Sequence, residues 1–315
     1  MATAHEFSPA TKPTLYFIGV TTRQSAINAV FPRWAAHLGL GDCELRGWDF
    51  KLRDDPARFR AAIDFIKHDP FSLGALVTTH KVDLCAACHD QFDELEPLSR
   101  SMGEVCSIYK RHGRLHGRAT DPWTSGHALG AFLPRDHWQQ GAEVLILGAG
   151  GAGTALVWQL TRAAAQRPVR VHLADLAVGR LEHVRRLHAS WPEVVPLEAH
   201  HVARPEAADA ILARLPPGSL VVNATGLGKD APGSPLTNAA VFPERGIAWE
   251  FNYRGQLEFL GQARAQQLSR GLCVEDGWTY FLHGWTHVMA DVFQREIPAH
   301  GPQFEELSRI AATTR

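Results

Sequence analysis

Residues 144–153 read Val-Leu-Ile-Leu-Gly-Ala-Gly-Gly-Ala-Gly, an apolar run that ends in a glycine-rich turn. The turn fits the pattern G-x-G-x-x-G, and an apolar segment of helical length follows it. A second apolar run ends at Asp175, which lies 22 residues after Gly153. Strand, glycine turn, helix, strand and acid therefore follow one another in the order of a dinucleotide-binding βαβ unit.

Each glycine of this turn has its own physical role. Gly148 allows the tight turn, Gly150 lets a pyrophosphate approach the backbone, and Gly153 lets the helix pack close to the sheet. The helix N-terminus offers free N–H groups and a positive dipole end to the phosphates. A carboxylate at Asp175 accepts hydrogen bonds from ribose hydroxyls and repels a 2′-phosphate, so the sequence predicts NAD rather than NADP. The predicted cofactor contacts in the turn are Gly148, Ala149, Gly150, Gly151, Ala152 and Gly153.

The composition is typical of a globular protein without a surplus of either charge. The chain has 315 residues, of which 45% are hydrophobic and 21% charged, and its net charge is −1. This length favours two domains, and the charge balance argues against nucleic acid or a membrane surface as a partner. No signal-peptide pattern and no apolar run of about 20 residues is present. Five cysteines, an odd number, indicate free thiols, and we expect a cytoplasmic monomer or homodimer.

Strand and helix patterns alternate along both halves of the chain. Such alternation predicts open α/β sheets, and His112-Gly113 between two β-rich runs predicts a hairpin. Polar residues at 134–141 predict a linker. The predicted strands lie at about residues 14–19, 43–49, 73–77, 104–109, 114–120, 144–147, 169–175, 219–226 and 246–251.

Three polar groups stand where predicted strands end, the edge at which open α/β sheets bind ligands. Lys81 follows a buried run in a threonine-rich turn, where it can act as a proton relay or cap a surface helix. Asp121 precedes Pro122, where it can take part in catalysis or act as an N-cap. Asn223-Ala-Thr-Gly226 can pass along the nicotinamide half of a dinucleotide or form a plain turn.

Two patterns suggest haem or metal binding, and we assign neither. Cys85-Ala-Ala-Cys88-His89 matches C-x-x-C-H, but the chain has no export signal, so we expect one buried thiol, one partly exposed thiol and a surface histidine. His283 and His287 have the i, i+4 spacing of zinc ligands, yet no Glu follows His283 and no third ligand is evident. We therefore expect no metal. His283 is predicted to line a pocket, and His200-His201 to lie in a surface loop.

The order of these motifs resembles the shikimate and quinate dehydrogenase family over nearly the whole chain. Val77-Thr-Thr-His-Lys81 is similar to that family's Val-Thr-x-Pro-His-Lys, and Thr120-Asp121 to its Thr-Asp. Asn223-Ala-Thr-Gly-Leu-Gly228 is similar to its Asn-Ala-Thr-x-x-Gly. Further similar segments are Phe17-Ile-Gly19 with Ser25, Met102-Gly-Glu-Val-Cys-Ser107, Glu250-Phe-Asn-Tyr253 and Asp276-Gly277.

The resemblance implies two α/β domains with a cleft between them. A substrate-binding domain would cover residues 1–121 and the C-terminal helices at about 276–315, and a Rossmann NAD-binding domain would cover 122–275. Lys81 and Asp121 would be the catalytic pair. Further cofactor contacts would be Asn223, Ala224, Thr225, Gly226 and Gly277, and substrate contacts Ser25, Thr78, Thr79, Cys106, Tyr253, Tyr280 and His283.

Several substrate positions depart from the family's pattern. Ile27 replaces the second serine of Ser-x-Ser, Cys106 replaces an asparagine, and Gly284 stands near the position of a glutamine. A buried polar group that loses its partner costs about 1–3 kcal/mol, and about 1.4 kcal/mol is a tenfold change in affinity. The sequence therefore predicts an NAD(P)-dependent dehydrogenase for a polyhydroxylated cyclic compound related to shikimate or quinate, but not shikimate itself. The alternative is an NAD-binding sensor with the same fold and little catalysis.

Overall fold

The computed structural model describes residues 7–162, 167–192 and 194–315. The chain divides into two compact units, Met1–Thr120 with Leu282–Arg315, and Asp121–Phe281. Each unit is built on one six-stranded sheet flanked by helices, which confirms the predicted α/β class. In the described part of the chain, none of the helices combines the length and apolar character that a membrane span requires.

The first unit begins with alternating strands and helices and then forms a hairpin. The predicted hairpin is confirmed, because the strands on either side of His112-Gly113 pair antiparallel. Both turn residues have positive φ, as a two-residue type I′ turn requires. The elements up to residue 120 are β1 (Thr14–Gly19), α1 (Ile27–Leu38), β2 (Glu44–Asp49), α2 (Pro56–His68), β3 (Ser72–Val77), α3 (Lys81–Cys88), β4 (Glu94–Leu95), α4 (Pro97–Met102), β5 (Ser107–Arg111) and β6 (Arg114–Arg118).

The strands of the first unit lie in the order β2-β1-β3-β5-β6-β4. β1 is parallel to both of its neighbours, and all of its residues are buried. Near-continuous burial is expected of a central parallel strand that is covered on both faces. Because β1 and β3 run parallel, their carboxyl ends at Gly19 and Val77 meet at one edge of the sheet. The turns that lead to Ser25 and Lys81 begin at that edge.

The second unit is an all-parallel sheet in the order β12-β11-β10-β7-β8-β9. The chain order reverses between β7 and β10, which is the topological switch point where open α/β sheets bind ligands. The remaining elements are α5 (Asp121–Phe132), β7 (Val144–Leu147), α6 (Gly151–Thr161), β8 (Val171–Asp175), α7 (Val178–Ser190), β9 (Leu197–His201), α8 (Pro205–Leu212), β10 (Leu220–Asn223), β11 (Ile247–Glu250), α9 (Glu258–Arg270), β12 (Cys273–Glu275), α10 (Trp278–Val292) and α11 (Pro302–Ala312).

Two local expectations are wrong. His200 and His201 are the last residues of β9 and pair in register with β8, so they are not in a loop. The polar sequence of β9 gives almost no hydrophobic alternation, which is why the pattern did not indicate a strand. The expected linker at 134–141 contains a 3-10 helix at His137–Gln140, and its Trp138 is buried in the core of the second unit.

Polar contacts attach the C-terminal helices to the first unit. Asp291 in α10 accepts hydrogen bonds from Ser107 Oγ at 2.8 Å and from Arg118 Nη1 at 3.0 Å. In α1, Trp34 Nε1 donates to the carbonyl of Leu307 in α11 at 2.8 Å. These contacts join the last helices to strands and helices that precede residue 120.

The cysteines are free thiols, as predicted. Cys85 and Cys88 are both buried in α3, so the expectation that one is partly exposed is wrong. Both side chains pack into the hydrophobic core of the first unit, and burial raises the pKa of Cys85 to about 11 and that of Cys88 to about 12. His89, which follows them, is exposed, as expected. The two cysteines of the C-x-x-C-H pattern therefore serve to pack α3 against the hydrophobic core.

Candidate functional site

The glycine-rich turn joins β7 to α6 through close backbone contacts. Gly148 has a φ of 109°, and a Cβ there would lie 2.9 Å from the backbone of Ala224. A Cβ on Gly153 would overlap the carbonyl oxygen of Gly148. At Gly150 no atom lies within 4 Å of such a Cβ. One glycine therefore makes the turn, one allows close packing and one leaves open space, as a pyrophosphate-binding turn requires.

The N-terminus of α6 leaves backbone donors for an anion. Gly150 is the N-cap residue, and no side chain caps the helix there. The first amides of a helix have no partner within the helix, and they carry the positive end of its dipole. Gly151 and Ala152 lie in this first turn, so the structure places the predicted residues where a phosphate would meet free N–H groups.

Asp175 braces the glycine turn from the neighbouring strand. The residue is buried, with 8% of its surface exposed. Oδ2 accepts the N–H of Ala149 at 2.7 Å, and Oδ1 accepts the N–H of Ala177 at 2.7 Å. Because an ionised carboxylate has about four lone-pair positions, Asp175 retains the capacity to accept ribose hydroxyls while it holds the turn.

A buried polar network follows β10 and β11. Glu250 is fully buried; it accepts Asn223 Nδ2 at 2.6 Å, and the backbone N–H and Nδ2 of Asn252 at 2.8 and 2.7 Å. Asn223 Oδ1 accepts the N–H of Thr225 at 3.0 Å and its hydroxyl at 2.6 Å. Asn252 Nδ2 also donates to the carbonyl of Thr225 at 3.0 Å. The loop 223–226, which was predicted to pass the nicotinamide, is therefore held rigidly by side chains.

Glu250 and Asn252 are hydrogen-bonded to the predicted loop 223–226, although neither is predicted as a site residue. Burial raises the pKa of Glu250 to about 7, even though the three N–H donors and the charge of Lys229 act in the opposite direction. The sequence signal was the position of Glu250 at the end of a buried strand. Its connection to Asn223 depends on the pairing of β10 with β11, in which the two residues are partners.

Lys81 is the first residue of α3 and follows a strained turn. Thr79 has a φ of 62°, a left-handed conformation that β-branched residues rarely adopt. Backbone strain of this kind is enriched at functional sites. Thr78 donates its N–H to the carbonyl of Ile18 at 2.9 Å. The turn is thereby tied to the end of β1, and it holds the half-buried Lys81 at the sheet edge.

His80 supports this turn and was not predicted as a site residue. It is buried, its Nε2 lies 3.2 Å from the carbonyl oxygen of Phe50, and its ring packs against Phe59 at 5.5 Å between centroids. Burial lowers the pKa of His80, so the imidazole is neutral near pH 7. Its role is to fix the backbone that precedes Lys81.

Ser25 and Thr78 lie at the same edge of the first sheet. Ser25 is buried and donates its N–H to the carbonyl of Thr22 at 3.1 Å. A Cβ on Gly19 would lie 2.9 Å from Thr78 Cγ2 and 3.3 Å from Thr22 Cγ2. The turns after β1 and β3 therefore both pack against Gly19 at the end of β1, so the segments that lead to Ser25 and to Lys81 start from the same edge of the sheet.

Cys106 is buried just before β5. Thr120 donates its N–H to Cys106 Sγ at 2.9 Å, and its hydroxyl lies 3.1 Å from the same sulfur. Thr120 directly precedes Asp121, which is buried at the start of α5. Cys106 is predicted to contact substrate. In the structure its sulfur holds Thr120, the residue before Asp121, through these two contacts.

The remaining predicted residues are described by the contacts that each makes within its own unit. Tyr253 packs its ring against Phe281 at 4.4 Å, and Tyr280 packs against Phe251 at 4.7 Å, both in the second unit. Gly277 is buried, and a Cβ there would overlap the carbonyl of Phe251. His283, in the first unit, is stacked on Phe304 at 4.3 Å.

Sequence comparison finds shikimate dehydrogenases among the relatives of this chain. No family model matches the chain. The shikimate dehydrogenase (NADP+) of Symbiobacterium thermophilum is 29% identical over 237 residues, 72% of this chain and 72% of the relative. That of Streptococcus thermophilus is 28% identical over 177 residues, and this match covers 56% of the chain but only 59% of the relative.

Solved structures show the same fold over the whole chain. Shikimate dehydrogenase from Aquifex aeolicus has a TM-score of 0.71 at 18% identity, with 98% of this chain and 99% of that chain covered. Shikimate 5-dehydrogenase from Thermus thermophilus, in complex with NADP(H) and shikimate, has a TM-score of 0.68 at 22% identity, covering 96% and 99%. Quinate dehydrogenase from Corynebacterium glutamicum, in complex with NAD, has a TM-score of 0.67 at 20% identity, also covering 96% and 99%.

The fold and these neighbours define the class of protein, an α/β protein whose second unit has a Rossmann-type fold. More particularly, its sequence relatives and structural neighbours are members of the shikimate and quinate dehydrogenase family, and its fold is shikimate dehydrogenase-like. The resemblance inferred from the sequence motifs is confirmed.

Substitution of two glycines separates packing from cofactor binding. Gly153→Ala places a methyl group against the carbonyl of Gly148, so α6 must shift, and we expect the free energy of unfolding to fall by about 1–3 kcal/mol or more. Gly150→Ala is the matched control, because its φ of −77° and its open surroundings accept a side chain. We expect it to unfold like the wild type in urea but to bind NAD more weakly. Equal destabilisation by both substitutions would contradict this account.

The ionisation of Glu250 gives a second expected outcome. Its pKa rises from an ordinary value of 4.5 to about 7 in the folded protein. Between these values the unfolded chain ionises first, so the folded state loses stability as the pH rises, by roughly 3 kcal/mol in total. Glu250→Gln removes this ionisation, so its free energy of unfolding relative to the wild type should increase between about pH 5 and pH 8 in urea titrations. If the difference in free energy of unfolding between Glu250→Gln and the wild type does not vary with pH, the raised pKa of Glu250 is refuted.

Proposed function

We propose that this protein is an NAD(P)-dependent dehydrogenase acting on a CH–OH group of a polyhydroxylated cyclic compound related to shikimate or quinate. The observation that carries the proposal is the strained turn at Thr79, which presents Lys81 at the ligand-binding edge of the first sheet. Two supports are independent of it, the glycine turn braced by Asp175 and the shikimate dehydrogenases among the relatives.

Lys81 and Asp121 are the proposed catalytic pair. A nicotinamide cofactor, when bound, would supply the hydride-transfer chemistry in either direction at the carbon that bears the reacting oxygen. In the reducing direction, the Lys81 ammonium donates a proton to the carbonyl oxygen as the C–H bond forms. In the oxidising direction, neutral Lys81 takes the proton of the hydroxyl. Asp121 orients Lys81 and accepts a hydrogen bond from the same or a neighbouring hydroxyl, while Ser25 and Tyr253 position the substrate.

NAD is the proposed cofactor, in contrast to the NADP+ of the named relatives. The carboxylate of Asp175 stands at the end of β8, where the ribose of a bound dinucleotide lies in Rossmann sheets. The following residues, Leu176 and Ala177, carry no positive charge with which to hold a 2′-phosphate. A negative charge at Asp175 and a 2′-phosphate would repel each other, so NADP should bind less tightly.

The proposed substrate differs from shikimate because several polar contacts are missing. Ile27 is fully buried as the first residue of α1. Cys106 Sγ accepts a hydrogen bond from the N–H of Thr120, and Gly284 carries no side chain. The family's second serine, asparagine and glutamine would each offer a hydrogen bond at these positions, so we propose that a compound with fewer or differently placed hydroxyls, or another ring substituent, fits better than shikimate.

A second candidate function is an NAD-binding sensor with the same fold and little turnover. The loss of polar substrate contacts at Ile27 and Cys106 favours it. The presence of both Lys81 and Asp121 argues against it, because binding alone requires no proton relay. The dehydrogenase is therefore the preferred proposal.

A panel of substrates distinguishes the two candidates. Cyclic polyols, quinate, shikimate and sugar acids are tested with NAD and with NADP, and NADH or NADPH formation is followed by absorbance. We expect reduction of NAD with at least one cyclic hydroxy compound, a higher kcat/KM with NAD than with NADP, and a lower kcat/KM for shikimate. Thermal stabilisation by panel compounds without any cofactor reduction would favour the sensor.

Lys81→Ala tests the mechanism with the best substrate from the panel. We expect kcat to fall by about 10²–10⁴, the usual contribution of a general acid–base group, while the Kd for NAD in calorimetry is unchanged. Lys51→Ala is the control, because Lys51 is exposed in a loop of the same unit. Normal turnover of the Lys81 variant would remove this residue from the mechanism.

A further inference from the structure

Two histidines and two glutamates form a cluster on one face of the second sheet, at the side where β7, β8 and β9 lie. His172 is in β8, Glu198 and His200 are in β9, and Glu143 directly precedes β7. Side chains two residues apart in a strand share a face, so Glu198 and His200 point the same way. Side-chain contacts with His172 show that it faces them. Neither the glycine turn nor the Lys81 turn includes any of these residues.

Three atoms of this cluster have the spacing of metal ligands. His172 Nδ1 lies 3.0 Å from His200 Nε2 and 3.5 Å from Glu198 Oε2, and the latter two atoms are 3.8 Å apart. Zinc bonds of about 2.0–2.2 Å in a tetrahedron place neighbouring ligand atoms roughly 3.4 Å apart. Among the described residues, this is the one group of three His, Cys, Asp or Glu side chains whose ligand atoms lie within 4.8 Å of one another.

Glu143 prepares His172 for a metal ion. The Nε2 of His172 lies 2.9 Å from Glu143 Oε2. A carboxylate accepts a hydrogen bond there, so Nε2 carries a proton, and in the neutral imidazole the lone pair of Nδ1 points toward His200 and Glu198. A carboxylate that binds the second nitrogen of a ligand histidine is the usual outer shell of zinc sites.

A hydrogen bond between the two imidazoles explains only part of the geometry. His200 can donate from Nε2 to His172 Nδ1, which accounts for the distance of 3.0 Å. In that arrangement Glu198 Oε2, an acceptor, still faces the lone pair of His172 Nδ1 at 3.5 Å. A cation placed between the three atoms would satisfy both acceptors and the nitrogen of His200.

The charges around the cluster predict moderate affinity. Arg170 forms an ion pair with the other oxygen of Glu198, Oε1, and this leaves Oε2 directed at the histidines. The positive charges of Arg185 and Arg214 also act on His200. They reduce the attraction for a cation that Glu143 and Glu198 would otherwise provide.

We propose that His172, Glu198 and His200 bind one divalent transition-metal ion, and that zinc fits this ligand set best. Two imidazoles and one carboxylate suit zinc, whereas magnesium prefers oxygen ligands. Glu198 is 41% exposed and His200 23%, so water completes the coordination. The ion ties the edge strand β9 to β8. Since Asp175 pairs with His201 at the end of the same two strands, the ion stabilises the segment that carries the proposed ribose-binding acid.

The test uses the full chain without an affinity tag, stripped of metal with a chelator. We expect calorimetry with zinc chloride to show one saturable site per chain, zinc to raise the melting temperature, and magnesium to do neither. His172→Ala, Glu198→Gln and His200→Ala should each weaken zinc binding at least tenfold. Glu143→Gln should weaken it about 10–100-fold, the usual effect of an outer-shell residue.

His201→Ala is the matched control. His201 adjoins His200 in β9, lies on the opposite face, and has its Nε2 3.2 Å from the carbonyl of Leu176. We expect its zinc affinity to equal that of the wild type. Circular dichroism identifies any variant that fails to fold, and zinc-edge X-ray absorption of the wild type then reports the ligands directly. Absence of a saturable site, or equal losses in His201→Ala and His200→Ala, would overturn the proposal.

Discussion

The close approach of α6 to the end of β7 is the constraint on which the second unit depends. It exists because Gly153 has no side chain where the carbonyl of Gly148 lies. With the helix seated there, its N-terminal amides point out of the carboxyl edge of the sheet, and the carboxylate of Asp175 can hold the turn through Ala149. A single methyl group at Gly153 would disturb all three features, so packing and the proposed cofactor site are not separable at this position.

The two units fix their candidate residues by different means. In the first unit, local backbone strain at Thr79 and hydrogen bonds across parallel strands hold the turn before Lys81. In the second, a fully buried carboxyl at Glu250 organises Asn223 and Asn252. Burying that carboxyl lowers stability at high pH, and three N–H donors offset part of this cost. The hydrogen-bonded turn at Thr79 and the network around Glu250 each keep a short polar loop in one conformation at the end of a buried strand.

Much of the fold was predictable because its signals are local. The β7 run, the glycine turn and the hairpin at His112-Gly113 each depend on residues within a few positions of one another, and each is confirmed. The strand β9 was missed because its polar residues give no alternation, and its edge position gives it only one neighbour, β8. The network around Glu250 and the cluster around His172 were missed because their members meet only across paired strands.

The sequence by itself determined the α/β class, the Rossmann-type order of the second unit and the resemblance to shikimate and quinate dehydrogenases, since period, glycine spacing and motif order are properties of the chain. Only the tertiary structure showed that Thr120 is hydrogen-bonded to Cys106 and that His80 is buried beneath the Lys81 turn. Only the tertiary structure showed that His172 Nδ1 and His200 Nε2 lie 3.0 Å apart. The reason is strand register, which depends on how whole strands pack and brings together groups that are 14 to 30 positions apart in the chain.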